Sequence, residues 1–510
     1  MSLHQLSLSG VKPFLSRTVM IFYLSILVAL FSIASPLQAA AQAQKTLAWD
    51  AIPDSAKTAS GTANVIVFFA TPDLEQLQHA SRSHKAVTPE EGLTPMARTQ
   101  ALEADAALTA GITAAGDTIL GALDTAQASV QRRFQFVPAM AMRVSPQGLA
   151  RLQSLPNVVS IEPDAPAPVP EPVVTAPEAG SALPDSPSVF AELIGASVPW
   201  GAGYTGSGWY VAILDTGIRP THTFFSGKTI VEACFSAQAN CPNSQTTMYG
   251  AGAAAHYPSS YSGWDHGTHV SGIAAGRDMT TYCGVAKQAS ILAINVFSKI
   301  NDGTLWVGTY SSDQIAGLEY IYSLRNTYSI GAVNMSLGGG AYNAYCDSAA
   351  IKASIDNLAA VNIAVAIASG NNYYTRYISG PACVSTAVSV GASSSSDVEG
   401  SFSNYHPALL DLFAPGVAVT SSTADSDFSF EAWNGTSMAT PHVAGAWTLL
   451  RQRYPTRSVP QILGAVQAAG QAVTLKAGDL AGGSVRRIAL NTLFATQVNP
   501  VAAVNSLLLN

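Results

Sequence analysis

Residues 435–445 read GTSMATPHVAG. Ser437 follows two small residues and precedes Met438, Ala439, Val443, Ala444 and Trp447, an apolar set spaced near three and four that predicts a buried helix. A serine at the start of such a helix is presented together with unpaired backbone N–H groups that point the same way. That is half of an acyl-transfer site. The other half is a histidine base, an acid to orient it and a second donor for the oxyanion. Over these residues alone, a plain N-cap serine would read the same.

The missing groups are found by working back along the chain. Trp209–Leu214 (WYVAIL) is an unbroken apolar run of the kind buried on both faces of a parallel sheet, and it ends in Asp215. Residues 265–276 read DHGTHVSGIAAG, so His266 begins a small-residue helix suited to close packing on that sheet. His269 follows three residues later. A zinc site is disfavoured because the pair lacks the His-x-x-x-His spacing and no third ligand is patterned nearby. Further apolar strands at 290–297, 332–336 and 363–368 alternate with helices expected at 313–324 and 349–360. This pattern predicts an α/β fold, a mostly parallel sheet with helices on both faces. Ser336, Leu337, Gly338 and Gly339 follow one strand end, where little side chain would obstruct pairing with an extended peptide; a tight turn would read alike. The strand at 363–368 runs into Asn371, whose amide could steady a developing oxyanion.

Three stretches carry a resemblance: VAILDTGI (211–218), HGTHVSGIAAG (266–276) and GTSMATPHVAG (435–445), in that order. Together they resemble the subtilisin family of serine proteases. The resemblance implies that Asp215 orients the imidazole, His266 acts as general base and then acid, and Ser437 is the nucleophile. It further implies that Asn371 and the Ser437 backbone N–H form the oxyanion hole, and that Ser336–Gly339 line the substrate cleft. FSNYHPALLDLFAPG (402–416) is similar to the family's approach to the serine motif. The expected activity is hydrolysis of protein or peptide substrates through an acyl-enzyme. An ester hydrolase using the same triad and a catalytically silent binding module are the alternatives; GTSMA lacks the second glycine of the lipase-type elbow. No cofactor is expected for catalysis and no residues are assigned to a metal, although the family often carries structural calcium. Trp264 departs from the small polar residue expected before Asp265, with a consequence expected for the cleft near His266.

The flanks suggest a precursor. Residues 1–43 read as an export signal, because His4, Lys12 and Arg17 precede a 16-residue apolar run, Val19–Ala34, that is shorter than the roughly 20 residues needed to span a bilayer. The expected product is a secreted or extracytoplasmic monomer with no stable membrane association after signal removal. Residues 44–164 form a small α+β unit, with strands expected at 65–70, 139–144 and 158–162 and one or two helices across 102–130. It resembles the family's inhibitory propeptide, an intramolecular partner of the enzyme. Residues 165–186 are expected to be a Pro-rich linker holding the maturation site, 187–498 the peptidase domain, and 499–510 a tail. Seven prolines in the 25 residues 164–188 describe an extended, cleavable segment.

Composition closes off one class. With 25 Lys plus Arg against 32 Asp plus Glu and a formal net charge of −7, the chain lacks the basic footprint of a nucleic-acid binder. Five cysteines are compatible with disulfides outside the cytoplasm. Cys234 and Cys241 would close a small loop. Relatives resemble this chain in having cysteines at the places of Cys346 and Cys383, which implies a second pair and leaves Cys283 as an inert buried thiol. Spacing alone leaves the other pairings open.

Overall fold

The computed structural model describes residues 46–83, 93–170, 188–278, 283–476 and 485–495. The segments expected to be the export signal, most of the linker and the tail lie outside these residues.

The first unit comprises β1 (Ala63–Phe69), α1 (Leu74–Ser83), α2 (Pro95–Leu120), β2 (Ala128–Arg133), β3 (Ala139–Val144), α3 (Pro146–Ser154) and β4 (Val158–Pro163). Its strands form an antiparallel sheet in the order β2-β3-β1-β4. Two expectations are corrected here. The helix stops at Leu120, and residues 128–133 add a fourth strand to the three foreseen. Asp124 accepts the Ala126 N–H at 2.9 Å, so its side chain closes a turn, and beyond it burial alternates as a half-exposed strand requires. The start of the expected linker lies against the larger unit. Ala167–Pro168 form β5, bound antiparallel to a strand of the larger unit.

The larger unit is built on a ten-stranded sheet. Its central strands include β6 (Tyr210–Asp215), β7 (Ile230–Phe235), then β8 (Thr247–Tyr249), which hangs antiparallel on β7 at one edge. Next come α4 (His266–Ala275), β9 (Ser290–Asn295), the hairpin β10 (Phe297–Asn301) and β11 (Leu305–Thr309), and α5 (Ser311–Leu324). They are followed by β12 (Ile330–Met335), β13 (Gly339–Tyr342), α6 (Lys352–Ala360), β14 (Ala364–Ala368), β15 (Ile378–Gly380), β16 (Val388–Ser393) and β17 (Leu412–Pro415). A hairpin of β18 (Val419–Ser422) and β19 (Phe430–Trp433) leads into α7 (Thr436–Arg453) and α8 (Val459–Ala469); β20 (Gln471–Ala472) and β21 (Arg486–Arg487) complete the other edge.

The order β20-β21-β17-β16-β14-β12-β6-β9-β7-β8 is parallel from β21 to β7, with one antiparallel strand at each edge. The chain reverses its direction of spread at β6, which has β9 on one side and β12 on the other. Open α/β sheets place their ligands at the carboxyl ends of strands at such a point. The unbroken apolar runs have their reason in two cores. Along β6, Val211 and Ile213 enter the core under α4 and α7, whereas Ala212 and Leu214 enter the one under α5. The first unit shares this second core, its Val67, Phe136 and Met140 joining Ile315 and Leu318 in one cluster.

Candidate functional site

Asp215 ends β6 and His266 begins α4, and the two meet because α4 lies close against the strand end. A Cβ at Gly267 would fall 2.1 Å from the Gly217 carbonyl oxygen, so only glycine permits this approach. The Gly267 N–H donates to Thr216 Oγ1 at 3.0 Å and fixes the helix start. Asp215 Oδ1 lies 2.8 Å from His266 Nδ1 and accepts the Thr216 N–H at 2.8 Å; both side chains are 1% exposed. His266 Nε2 is buried with no hydrogen-bond partner among the described residues.

Ser437 stands in the first turn of α7, after Gly435 as N-cap, so it is inside the helix and not its cap. Its hydroxyl donates to the Ser336 carbonyl at 3.4 Å, and Ser336 Oγ donates back to the Ser437 carbonyl at 2.8 Å. The serine therefore faces the end of β12, and no hydrogen bond joins it to His266 Nε2. Such contacts are often loose before substrate arrives.

Asn371 follows β14. Its Oδ1 accepts from both Thr436 N and Thr436 Oγ1 at 2.9 Å, which leaves Nδ2 buried without a partner. The amide orientation is thus set by the residue before Ser437. Gly338, at φ +153°, turns the cleft segment, and a Cβ there would lie 2.7 Å from the Gly380 carbonyl oxygen. Gly339 opens β13, which pairs with β15, while Leu337 is fully buried. These glycines and β5 border a cleft of about 760 Å³, also lined by Gln314, Tyr342, Gly380 and Pro381.

His269 takes no part with His266 in a shared ligand set. Its Nε2 lies 3.0 Å from the Glu431 carbonyl oxygen, its ring stacks on Trp433 at 4.1 Å and 7°, and burial pushes its pKa down to about 3. The aromatic beside the His266 ring is this same Trp433, at 6.5 Å, whereas Trp264 packs edge-on against His256. Sequence reasoning watched Trp264 and missed Trp433. The signal was the EAWN (431–434) immediately before the serine motif, whose hairpin position shows only once β18 and β19 are paired.

Disulfides join Cys234 to Cys241 and Cys346 to Cys383. Cys283 belongs to neither and is half-buried, less enclosed than expected.

Residues 206–492 match the model of the subtilase family. The chain is 32% identical over 333 residues to an extracellular serine proteinase of Thermus sp. (strain Rt41A), covering 64% of this chain and 69% of that one. It is likewise 32% identical over 338 residues to subtilisin E of Bacillus subtilis (strain 168), covering 65% and 75%. A solved protease from Pseudoalteromonas arctica aligns with TM-score 0.49 at 23% identity, covering 59% of this chain and 93% of that one. The family model spans more than half of the sequence, and the chain belongs to the subtilase family.

Proposed function

We propose that the protein is a secreted serine endopeptidase made as a self-inhibited precursor, with Ser437 as nucleophile, His266 as base and acid, and Asp215 as its orienting partner. The observation that carries this reading is the buried Asp215–His266 pair, whose Nε2 is left without a protein partner at the carboxyl end of the sheet. Rotation of Ser437 off the Ser336 carbonyl would bring its hydroxyl proton to Nε2 as Oγ attacks the substrate carbonyl. The electron pair moves to the carbonyl oxygen, where Asn371 Nδ2 and the Ser437 N–H receive it. His266 then gives the proton to the departing amine, and Asp215 supports the imidazolium throughout. Water repeats the sequence on the acyl-enzyme.

Extended substrates would lie between β11 and Ser336–Gly339. No acidic residue occurs between Asn371 and Pro381, so that wall offers no counter-charge to a basic side chain. The extracellular relative supports an extracytoplasmic site of action; among the described residues, no helix is long and apolar enough to cross a membrane. No group of three or more His, Cys, Asp or Glu side chains that could hold a metal ion occurs among the described residues; structural calcium, which also takes backbone carbonyl and amide oxygens, enters no catalytic step. Chelator sensitivity of thermal inactivation tests it.

Residues 44–164 serve in this reading as folding aid and temporary inhibitor. Support comes from β5, which lies on β11 as a substrate strand would: a Cβ at Gly339 would be 3.9 Å from Ala167 Cβ across the cleft. Self-cleavage is proposed within 165–186. The bonds of Ala179–Leu183 favoured by the absence of proline lie outside the described residues. Intact-mass analysis of wild type and Ser437→Ala, made in a host without other secreted proteases, tests the scheme. Wild type should shed the first unit and digest casein, with a serine-directed inhibitor abolishing digestion; Ser437→Ala should stay whole and inactive. Processing of the mutant at the same bond would assign the cut to another enzyme. Ester turnover without casein cleavage would overturn the peptidase reading.

A further inference from the structure

The loop that carries Asn371 is held from behind by one side chain with no role assigned so far. Asn404 is fully buried. Its Oδ1 accepts the backbone N–H groups of Asn372 at 2.8 Å and Tyr374 at 3.2 Å. Its Nδ2 donates to the Ser369 carbonyl at 3.0 Å and lies 3.1 Å from Asn372 Oδ1 and 3.3 Å from Ser379 Oγ. The backbone adds to this. Asn404 N donates to the Gly370 carbonyl at 2.9 Å, and Ser369 Oγ donates to the Asn404 carbonyl at 3.0 Å. Asn371 is therefore bracketed: Ser369 before it and Asn372 after it are bound to one carboxamide, and Gly370 to the backbone of the same residue.

The packing leaves this loop little room to shift. Gly370 has φ +103°, and a Cβ there would fall 2.3 Å from both Asn404 Nδ2 and Ser379 Oγ. Ser379 lies on β15, which pairs with the cleft strand β13. Asn404 thus ties the oxyanion loop to the wall that would hold the substrate. Thr436 fixes how the Asn371 amide is turned, through its Oδ1; Asn404 fixes where the backbone beneath that amide lies.

We propose that Asn404 is a positioning residue for the oxyanion donor: it sets the place of Asn371 Nδ2 relative to the Ser437 N–H and to a carbonyl lying along β13. This rests on the reading of Asn371 as that donor. A hydrogen bond to a developing charge is sensitive to sub-ångström placement, so loosening the loop should lower kcat while ground-state binding along β13 persists.

The test is a double-mutant cycle on the secreted enzyme expressed from the full chain and freed of its first unit, with kcat and KM measured on a peptide anilide per mole of folded protein, and thermal melting alongside. Asn404→Ala should lower kcat about 10- to 100-fold with KM changed by less than about threefold. On an Asn371→Ala background the same substitution should cost less than about a further threefold in kcat, because its effect runs through a donor already removed. Wild-type kcat in Asn404→Ala, or losses that multiply in the double variant, would overturn the proposal while leaving Asn371 in place. Wild-type kcat in Asn371→Ala would remove the oxyanion reading and this proposal with it. Should Asn404→Ala fail to fold, Asn404→Ser, which retains a short hydroxyl, carries the same cycle and the same criteria.

Discussion

Arg325 donates through Nη2 to both carboxylate oxygens of Asp105, at 2.7 and 3.0 Å, across the seam between α5 of the larger unit and α2 of the first. The guanidinium is 1% exposed and also donates to the carbonyls of Ser81 and Tyr322. Along the same helix, Asp313 meets Arg132 at 3.3 Å, and Glu319 accepts the backbone N–H groups of Gln135, Phe136 and Val137 at 3.0, 2.6 and 2.9 Å. The first unit is therefore docked through buried charge as well as through the shared core.

Removing one partner of a buried pair leaves the other charge without compensation. Asp105→Ala should consequently destabilise the docked first unit by about 3 kcal/mol, the low end for such a loss because Arg325 keeps two carbonyl partners. Denaturant unfolding of the uncleavable Ser437→Ala chain, with and without Asp105→Ala, measures this. An unchanged midpoint would show the pair to be incidental.

The same seam should respond to pH. Burial pushes Glu319 up to about 7, against the downward pull of its three N–H donors and Arg132. A carboxyl whose pKa is raised on docking binds more protons docked than free, so its contribution is fullest below its ordinary value of 4.5 and is lost as pH rises towards about 7. Glu319→Gln cannot titrate. In the Ser437→Ala background its melting temperature should therefore gain on the glutamate form between pH 5 and pH 8; a constant difference would contradict the raised pKa.

Gly338→Ala should act on substrate binding. Its Cβ would press on the Gly380 carbonyl oxygen and part β13 from β15, at a backbone angle that side chains rarely adopt. KM for peptide anilides should rise more than kcat falls. Wild-type KM would show that this wall does not bind substrate.

The Cys346–Cys383 bridge closes a separation of 37 residues and ties the chain after β13 to the chain after β15. Replacing both cysteines by serine should lower stability by about 3–4 kcal/mol on the chain-entropy estimate. Urea unfolding of the two forms gives the difference, and a non-reduced peptide map should recover this pair and Cys234–Cys241. Cys283 found in either bridge would refute the connectivity.

What the sequence alone determined was local. Runs such as 209–214 are apolar on both faces because β6 feeds two cores, so they announced a parallel sheet; the small residues after His266 and around Ser437 announced helices that must approach closely. Asp215, His266, Asn371 and Ser437 stood out as candidates because each sits in a short motif at an element's end. Tertiary structure alone decided the partnerships. Nothing near Asn404 in sequence reveals that its amide holds a loop more than thirty residues away, and Trp433 reaches His269 only because a hairpin folds back. Likewise, Ala167–Pro168 reads as free linker until the edge of β11 is there to pair with it, since hydrogen bonds between distant backbones leave no pattern in composition or spacing. The direction of the Ser437 hydroxyl, towards Ser336 and not His266, belongs to the same class: it depends on how β12 and α7 pack, which no stretch of sequence encodes by itself.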